Sequence, residues 1–545
     1  MRDSERSPQT DVIPLWPWPL VFIMLAAFAV VAPFLWLGNP SGHDFEFHLH
    51  SWIEVLGQWR QGIFYPRWAA LSNHGFGEAR FIFYPPLSWT LGAALRAILP
   101  WKIVPGAYVW IVLTLSGCSM FALARRWLGR CDAIFAAVLY AVNPYYILIV
   151  YWRSAFAELL AGALLPLLLL YVLRLNDEKL RAALALSLVV AAAWLSNAPA
   201  AVMVNYSLVL LAIVAAIMRR SWRTLWLAAL AAVIAAGLAA FYILPATYEQ
   251  RWVNIAQVLA PGVRPQDNFL FTWIDDPEHN IFNLLVSVVA AAEIVILAAA
   301  WWGMRRRRIE IGWPLVAWAS AAAVLIFSWT YFFWAHLPFL RFLQLPWRWL
   351  LCINVAFALL VTLGGRWLWR ASVVLVMLVV LFYGWHRLQA PWWDTAAEIA
   401  KLAAQHQAAS GYEGTDEYVP AGADASDVEP KEPLVTTDDD DTKVQISSWA
   451  PESRMFTVVR QQPGLLILHL FDYPAWQVRV NGHEVETQQQ EDTGQMEVPV
   501  AAGESRVEVH FMRTWDRTWG GMISLITLAL TIVLWKIPAP QRTTE

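Results

Sequence analysis

Long apolar runs separated by short polar turns dominate the chain. They lie near 15–37, 104–124, 131–151, 154–173, 182–196, 198–218, 222–244, 281–303, 311–329, 347–365, 371–389 and 517–536. Most approach the roughly 20 residues that an α-helix needs to cross a bilayer core. The pattern predicts a polytopic α-helical membrane protein with about twelve transmembrane helices. Basic residues orient it. Arg2 and Arg6 precede the first run, and Arg125, Arg126 and Arg130 follow the second. Arg174, Lys179 and Arg181 follow the fourth, and Arg219, Arg220 and Arg223 the sixth. Arg305 to Arg308 follow the eighth, and Arg366 and Arg370 the tenth. All share one side if the N-terminus is cytoplasmic, because cytoplasmic turns carry excess Lys and Arg. Segments 38–103, 245–280, 330–346 and 390–515 are then outside, with both termini inside. The first run, with no obvious cleavage site after it, reads as an uncleaved span. "YPPLSWTLGAALRAIL" (84–99) is nearly apolar enough to be a span, but counting it would put Arg125 to Arg130 outside. It is expected as an amphipathic helix on the outer surface. "WLSNAPAA" (194–201) reads either as a tight outer turn or as a break within a helix.

Within 390–515 the pattern changes. From about 454 the stretches "RMFTVVRQ", "GLLILHLF", "AWQVRVNG" and "ESRVEVHF" are strand-like and bounded by Gly, Pro and Asn. "VNGHEV" carries an Asn-Gly hairpin signal. A small antiparallel β-sandwich is expected. Residues 395–450 have few large apolar side chains, and "TTDDDD" reads as a solvated loop. The division expected is a transmembrane domain over 1–389, an acidic outer domain over 390–515 and a last helix with its tail over 516–545.

Composition sharpens this reading. The chain has 545 residues, of which 58% are hydrophobic and only 15% charged, and its mean hydropathy is +0.45. Its 34 tryptophans suit a protein with two membrane interfaces. The three cysteines, Cys118, Cys131 and Cys352, lie in or beside apolar runs and offer no disulfide framework. Segment 390–515 holds about 22 acids against 8 bases, so the rest of the chain is basic overall. No GxGxxG motif or P-loop is present, and no basic aromatic surface suggests nucleic acid.

Candidate chemistry gathers in "SGHDFEFHLHSWIE" (41–54), just past the first run. Asp44 and Glu46 stand two apart among His43, His48 and His50. One carboxylate suits a general base acting on a hydroxyl or amine. Two carboxylates beside a histidine equally suit a divalent metal. A loop leaving a membrane is also polar without any function. The loop's length of more than 60 residues favours function. A second acidic cluster, "TWIDDPEH" (272–279), holds Asp275, Asp276 and His279, and reads first as a turn and helix cap. Glu158 lies inside the fourth run, where an acid is costly, five residues after Arg153. Glu293 lies mid-run without an evident partner.

"GHDFEFHLHSWIE", "GIFYPRWAALSNHGFG" and "FIFYPPL" together resemble the first outer loop of bacterial YfhO-like membrane proteins. That group includes those labelled 6-pyruvoyl-tetrahydropterin synthase-related. "RSAFAELLAGALLPL" (153–167), "LPWRWL" (345–350) and "FDYPAWQVRVNG" (471–482) agree. The last is similar to a Tyr-Pro-Gly-Trp-x-Val-x-Val-Asp-Gly signature, with Ala475 and Asn481 replacing Gly and Asp. This family resembles the GT-C glycosyltransferases, which have many spans, an acidic first-loop motif and polyprenyl-phosphate sugar donors. The resemblance implies a bacterial inner-membrane enzyme with a periplasmic site and periplasmic β-domain. It would transfer a sugar from a polyprenyl-phosphate donor to an envelope glycan or lipid acceptor. Asp44, or else Glu46, would be the base, and Arg153, Arg341 and Arg348 would bind the donor phosphate. His48, Glu158 and Tyr84 would support them. A metal-free site and a divalent ion (Mg or Mn) on Asp44 and Glu46 both stay open. Two alternatives stand beside the enzyme: a transporter or flippase of lipid-linked glycan, and a non-catalytic envelope assembly factor. The pterin label implies no chemistry, because a helical 48/50 histidine pair points to different faces.

Overall fold

The computed structural model describes residues 17–305, 309–388, 393–438 and 441–537. Arg2, Arg6, Arg306 to Arg308, Asp439 and Asp440 lie outside them. Among the described residues, eight helices are long and apolar enough to cross a membrane. They are Pro17–Leu37, Val104–Ala124, Arg130–Arg153, Phe156–Glu178, Ala198–Arg219, Pro277–Met304, Pro346–Gly364 and Trp515–Lys536. Two more stretches form bent pairs: Arg223–Leu238 with Ala240–Trp252 turns by 74°, and Gly312–Leu325 with Ser328–His336 turns by 93°. Of the twelve spans expected, eight are therefore supported, or up to ten if each bent pair is one span. The cause is local. Ala239 (φ −95°, ψ 7°) and Phe327 (φ −104°, ψ 146°) leave helical geometry partway along apolar runs. The two remaining runs are helical but short, Leu180–Ser196 and Trp367–Tyr383.

"WLSNAPAA" is a tight turn. The Asn197 side chain accepts the amide of Ala200 and starts the next helix as its N-cap. At the end where the arginines collect, Arg126 donates to Asp177 at 2.7 Å and Arg370 to Asp132 at 2.6 Å, and Arg219 pairs with Glu310. These bonds tie the basic turns to one another. The opposite end carries the first loop and two sheets. "YPPLSWTLGAALRAIL" gives the helix Pro86–Ile98, which buries Trp89, Ala93 and Leu95.

Both sheets are antiparallel. One orders its strands Val435–Thr437, Gly464–Phe471, Gln495–Val500, Gln488–Gln489. The other runs Lys443–Ala450, Ser453–Arg460, Gly503–Phe511, Trp476–Val480, His483–Val485. Asn481 and Gly482 have φ of +53° and +82°, and Val480 pairs with His483 across them. Those angles belong to a primed two-residue hairpin turn, which Asn-Gly adopts at least cost. Inward-facing Val458, Leu468, Met496 and Val507 pack with Trp68 and Phe76 of the first loop in one core. Loop and sheets are thus welded together.

Residues 393–438 and 441–450 are more ordered than their composition suggests. Ala396–Gln407 is a helix opened by a Thr395/Glu398 capping box, and Asp438 of "TTDDDD" pairs with Arg460. Segment 393–418 lies along the first loop as a strap. Asn39 pairs with Asp394 in a two-residue ladder. Gly38 has φ +102°, and a Cβ there would sit 2.5 Å from the Asp394 carbonyl oxygen, so the approach requires glycine. Further along, His50 Nδ1 meets His406 Nε2 at 2.6 Å. The Tyr412 ring stacks 4.0 Å from that of His50, and its hydroxyl donates to Glu54 at 2.7 Å. Burial, followed by the nearby cations, lowers His50 to about 3 and His406 to about 4. Unfolded histidine titrates near 6.5, so the unfolded state binds more protons between these values. The contribution of the pair is therefore complete above about pH 6.5 and is lost as pH falls toward 4. Glu54 opposes this trend, because burial raises it to about 7. The His406→Gln variant isolates the histidine. Its melting-temperature deficit relative to wild type is expected to shrink steadily from pH 7 to pH 5. A deficit independent of pH would rule the linkage out.

Candidate active site

The helix Arg130–Arg153 ends in a five-residue π-turn, and Ser154 follows it in the left-handed region at φ +51°. That break makes the site. The Ser154 hydroxyl accepts from the Gly42 amide at 3.1 Å and donates to the Pro40 carbonyl at 2.9 Å. The Asp44 amide donates to the Arg153 carbonyl at 2.9 Å. A Cβ on Gly42 would lie 2.5 Å from the Arg153 carbonyl carbon. The loop "SGHD" therefore docks backbone to backbone on the break, with Asp44 beside Arg153.

An alternating chain of charge follows. Asp44 Oδ2 lies 3.5 Å from Arg153 Nη2, while Arg153 Nη1 donates to Glu158 at 2.6 Å. Arg348 Nε donates to the same Glu158 oxygen at 3.0 Å. The Tyr145 hydroxyl bonds its other oxygen. Arg348 is held further by the Leu343 carbonyl at 2.6 Å and Gln344 at 3.1 Å. Arg153 and Arg348 are each 7% exposed and Glu158 1%. The Trp347 ring lies 4.9 Å from the Arg153 guanidinium carbon. Asp44, Arg153, Glu158, Gln344, Trp347 and Arg348 line one cavity of about 1550 Å³.

Asp44 also bonds His43 Nδ1 at 2.8 Å. Burial works to raise the Asp44 carboxyl, but the His43 hydrogen bond and the Arg153 charge outweigh it. They hold the group well below its usual 3.8. Tyr84 and Pro85 form part of the wall. Burial, then the charge of Asp44, raises the Tyr84 phenol far above 10. From the strap come Thr415, Glu417 and Tyr418. Burial raises Glu417 to about 7. Asp276 caps the helix Pro277–Met304 by accepting the amides of Glu278 and His279, as expected of "TWIDDPEH", and all three residues line the cavity.

Other candidates lie elsewhere. Glu46 is exposed on the helix Phe45–Arg60 and does not line the cavity. Asp44 has both oxygens engaged by His43 and Arg153, so the Asp44/Glu46 pair does not fit a divalent metal. Among the described residues no three His, Cys, Asp or Glu side chains converge for one. Arg341 is exposed and lines a separate hollow of about 250 Å³ with Arg264 and Tyr331. His48 is 1% exposed, packed between Phe156, Tyr84 and Trp52, and burial lowers it to about 4. The three histidines of the opening motif thus serve three separate places. Glu293, inside a span, accepts from Asn354 at 3.3 Å.

Glu158 is the keystone between the two arginines. Glu158→Gln leaves two buried guanidiniums facing each other with half their compensation. It is expected to destabilise the purified protein by about 2 kcal/mol, read as a fall in melting temperature in detergent. Added inorganic phosphate is expected to recover part of the loss.

The site and spans define a polytopic membrane protein. The profile of the 6-pyruvoyl-tetrahydropterin synthase related domain, a membrane-protein family, matches residues 81–389, and the chain belongs to that family. No curated protein sequence matches it. Among solved structures it is similar to ArnT from Cupriavidus metallidurans bound to undecaprenyl phosphate. The identity is 15% over 67% of this chain and 63% of that one, with a TM-score of 0.46. It is also similar to the archaeal oligosaccharyltransferase AglB from Archaeoglobus fulgidus, in complex with an inhibitory peptide and a dolichol-phosphate. There the identity is 14% over 73% of this chain and 56% of that one, with a TM-score of 0.41. The chain thus spans less than two thirds of either protein's length.

Proposed function

We propose that this protein is a glycosyltransferase of the bacterial inner membrane. It moves a sugar from a polyprenyl-phosphate donor to an envelope glycan or lipid acceptor on the periplasmic face, with Asp44 as the base. The observation that carries the reading is the single cavity holding a carboxylate beside two buried arginines. A lipid phosphate leaving group needs cationic donors, and Arg153 and Arg348 are placed to supply them. Val202, Tyr206 and Val209, about a turn apart on Ala198–Arg219, continue the wall below. Val209 is 58% exposed, as suits a face for an isoprenoid chain. The acceptor enters from the side of the strap, past Tyr84 and Glu417. Asp44 takes the acceptor proton as the acceptor oxygen or nitrogen bonds the anomeric carbon. The bond from that carbon to the phosphate oxygen breaks, and the lipid phosphate leaves with its electrons.

The test is sugar transfer from a panel of radiolabelled polyprenyl-phosphate sugars by membranes containing the protein. Transfer from one donor names the sugar and supports the enzyme. No transfer from any donor, together with movement of lipid-linked glycan across the membrane that Asp44→Asn leaves untouched, would overturn it in favour of a transporter.

A further inference from the structure

Every short bond that the two cavity arginines make is to Glu158, Gln344 or the Leu343 carbonyl. What remains is asymmetric. Arg153 Nη2 reaches Asp44 only at 3.5 Å, the outer limit of a hydrogen bond. Among the described residues no hydrogen-bond acceptor is recorded for Arg348 Nη2. One loosely held edge and one open edge therefore belong to guanidiniums that line the same cavity. A phosphate spanning them needs the Arg153 nitrogen that Asp44 now shares.

We infer that Asp44 and the donor phosphate compete for Nη2 of Arg153, so that donor binding uncovers the carboxylate. The inference rests on the lipid-phosphate reading above and adds an order of events to it. In the free protein both Asp44 oxygens are occupied, Oδ1 by His43 at 2.8 Å and Oδ2 by Arg153. A carboxylate so held is a poor proton acceptor. Guanidinium–phosphate pairs are short, charge-assisted and often bidentate, so a phosphate outcompetes a 3.5 Å contact. Asp44 Oδ2 is then open, and a new negative charge nearby raises its proton affinity. Acceptor deprotonation is thereby confined to a site already loaded with donor, and water reaching the empty cavity meets a masked base.

The test is the affinity of the purified full-length protein for undecaprenyl phosphate without sugar, compared among wild type, Asp44→Asn, Asp44→Ala and Glu278→Gln. Competition predicts about 3- to 10-fold tighter binding in both Asp44 variants. Glu278→Gln removes an exposed carboxylate from the lining of the same cavity without touching Arg153, and is expected to change affinity less than about twofold. Equal tightening in Asp44→Asn and Glu278→Gln would mean general charge repulsion and would overturn the inference. Unchanged or weaker binding in the Asp44 variants would overturn it too. If the wild type fails to bind the lipid phosphate at all, the donor reading falls and the inference falls with it.

Discussion

Asp44→Asn is expected to lower sugar transfer by about 10² to 10⁴-fold, the usual range for loss of a positioned general base. The fall should appear in kcat, because asparagine preserves the shape of the loop and removes no donor contact. Glu46→Gln, two residues away but outside the cavity, is expected to change transfer by less than about twofold, in line with ordinary surface substitutions. The contrast separates a residue that touches the reacting atoms from its exposed neighbour. The pH profile adds a check. His43 and Arg153 hold Asp44 below its usual 3.8, so the group stays ionised through the neutral range and down past pH 4. The pH profile of kcat/KM for the donor, which reports groups of the free enzyme, should therefore show no acidic limb from Asp44 above about pH 4. A limb near pH 6 would mean that another group, with Glu417 the first to examine, carries the proton. Equal losses in Asp44→Asn and Glu46→Gln would point to damage of the loop as a whole.

The parts of this architecture that hydropathy governs were legible in the sequence. Apolar run length and arginine spacing marked the helices and gathered the basic turns at one end, because both are one-dimensional signals. Bending is not such a signal. The breaks at Ala239 and Phe327 fall in runs that remain apolar throughout, so a window of hydropathy passes over them. The strands after residue 453 alternate inward and outward and were visible. Lys443–Ala450 was missed because it is mostly exposed and sits beside an acidic tract. At the site, Asp44, Arg153, Glu158 and Arg348 were named from a motif and from the cost of charge near a membrane. Their convergence depends on the π-turn before Ser154, which leaves no pattern in the chain. Glu46 and Arg341 show the limit of spacing: both are charged, near a motif and close in sequence to a cavity residue, yet neither lines that cavity. Glu417 and Tyr418 carried no signal, because the strap reaches the cavity only through contacts made far away in sequence. Those contacts are His50 on His406 and the Thr415 amide on Glu78 at 2.9 Å.

Arg517→Met is expected to destabilise the protein by about 3–5 kcal/mol, the cost of leaving one buried charge without its partner. Arg517 opens the last helix, its side chain 2% exposed, and grips Glu249, which is fully buried. The grip is bidentate, Nε to Oε1 at 2.7 Å and Nη2 to Oε2 at 2.6 Å. The Tyr473 hydroxyl adds a third bond to Glu249 at 2.6 Å. Tyr473 is the tyrosine of "FDYPAWQVRVNG", so that signature serves here as a joint between sheet, bent helix and last helix. Tyr473→Phe is expected to cost only about 1 kcal/mol, since it removes one hydrogen bond and leaves the charges matched. Thermal unfolding in detergent ranks the variants, and limited proteolysis shows whether the last helix detaches first. The pair Arg517→Met with Glu249→Leu is the decisive comparison. Near-wild-type stability in the double variant, beside a large loss in each single one, would show an ion pair that sets how three elements meet without adding net stability. A double variant as unstable as Arg517→Met alone would show that the joint itself holds the sheets against the bundle.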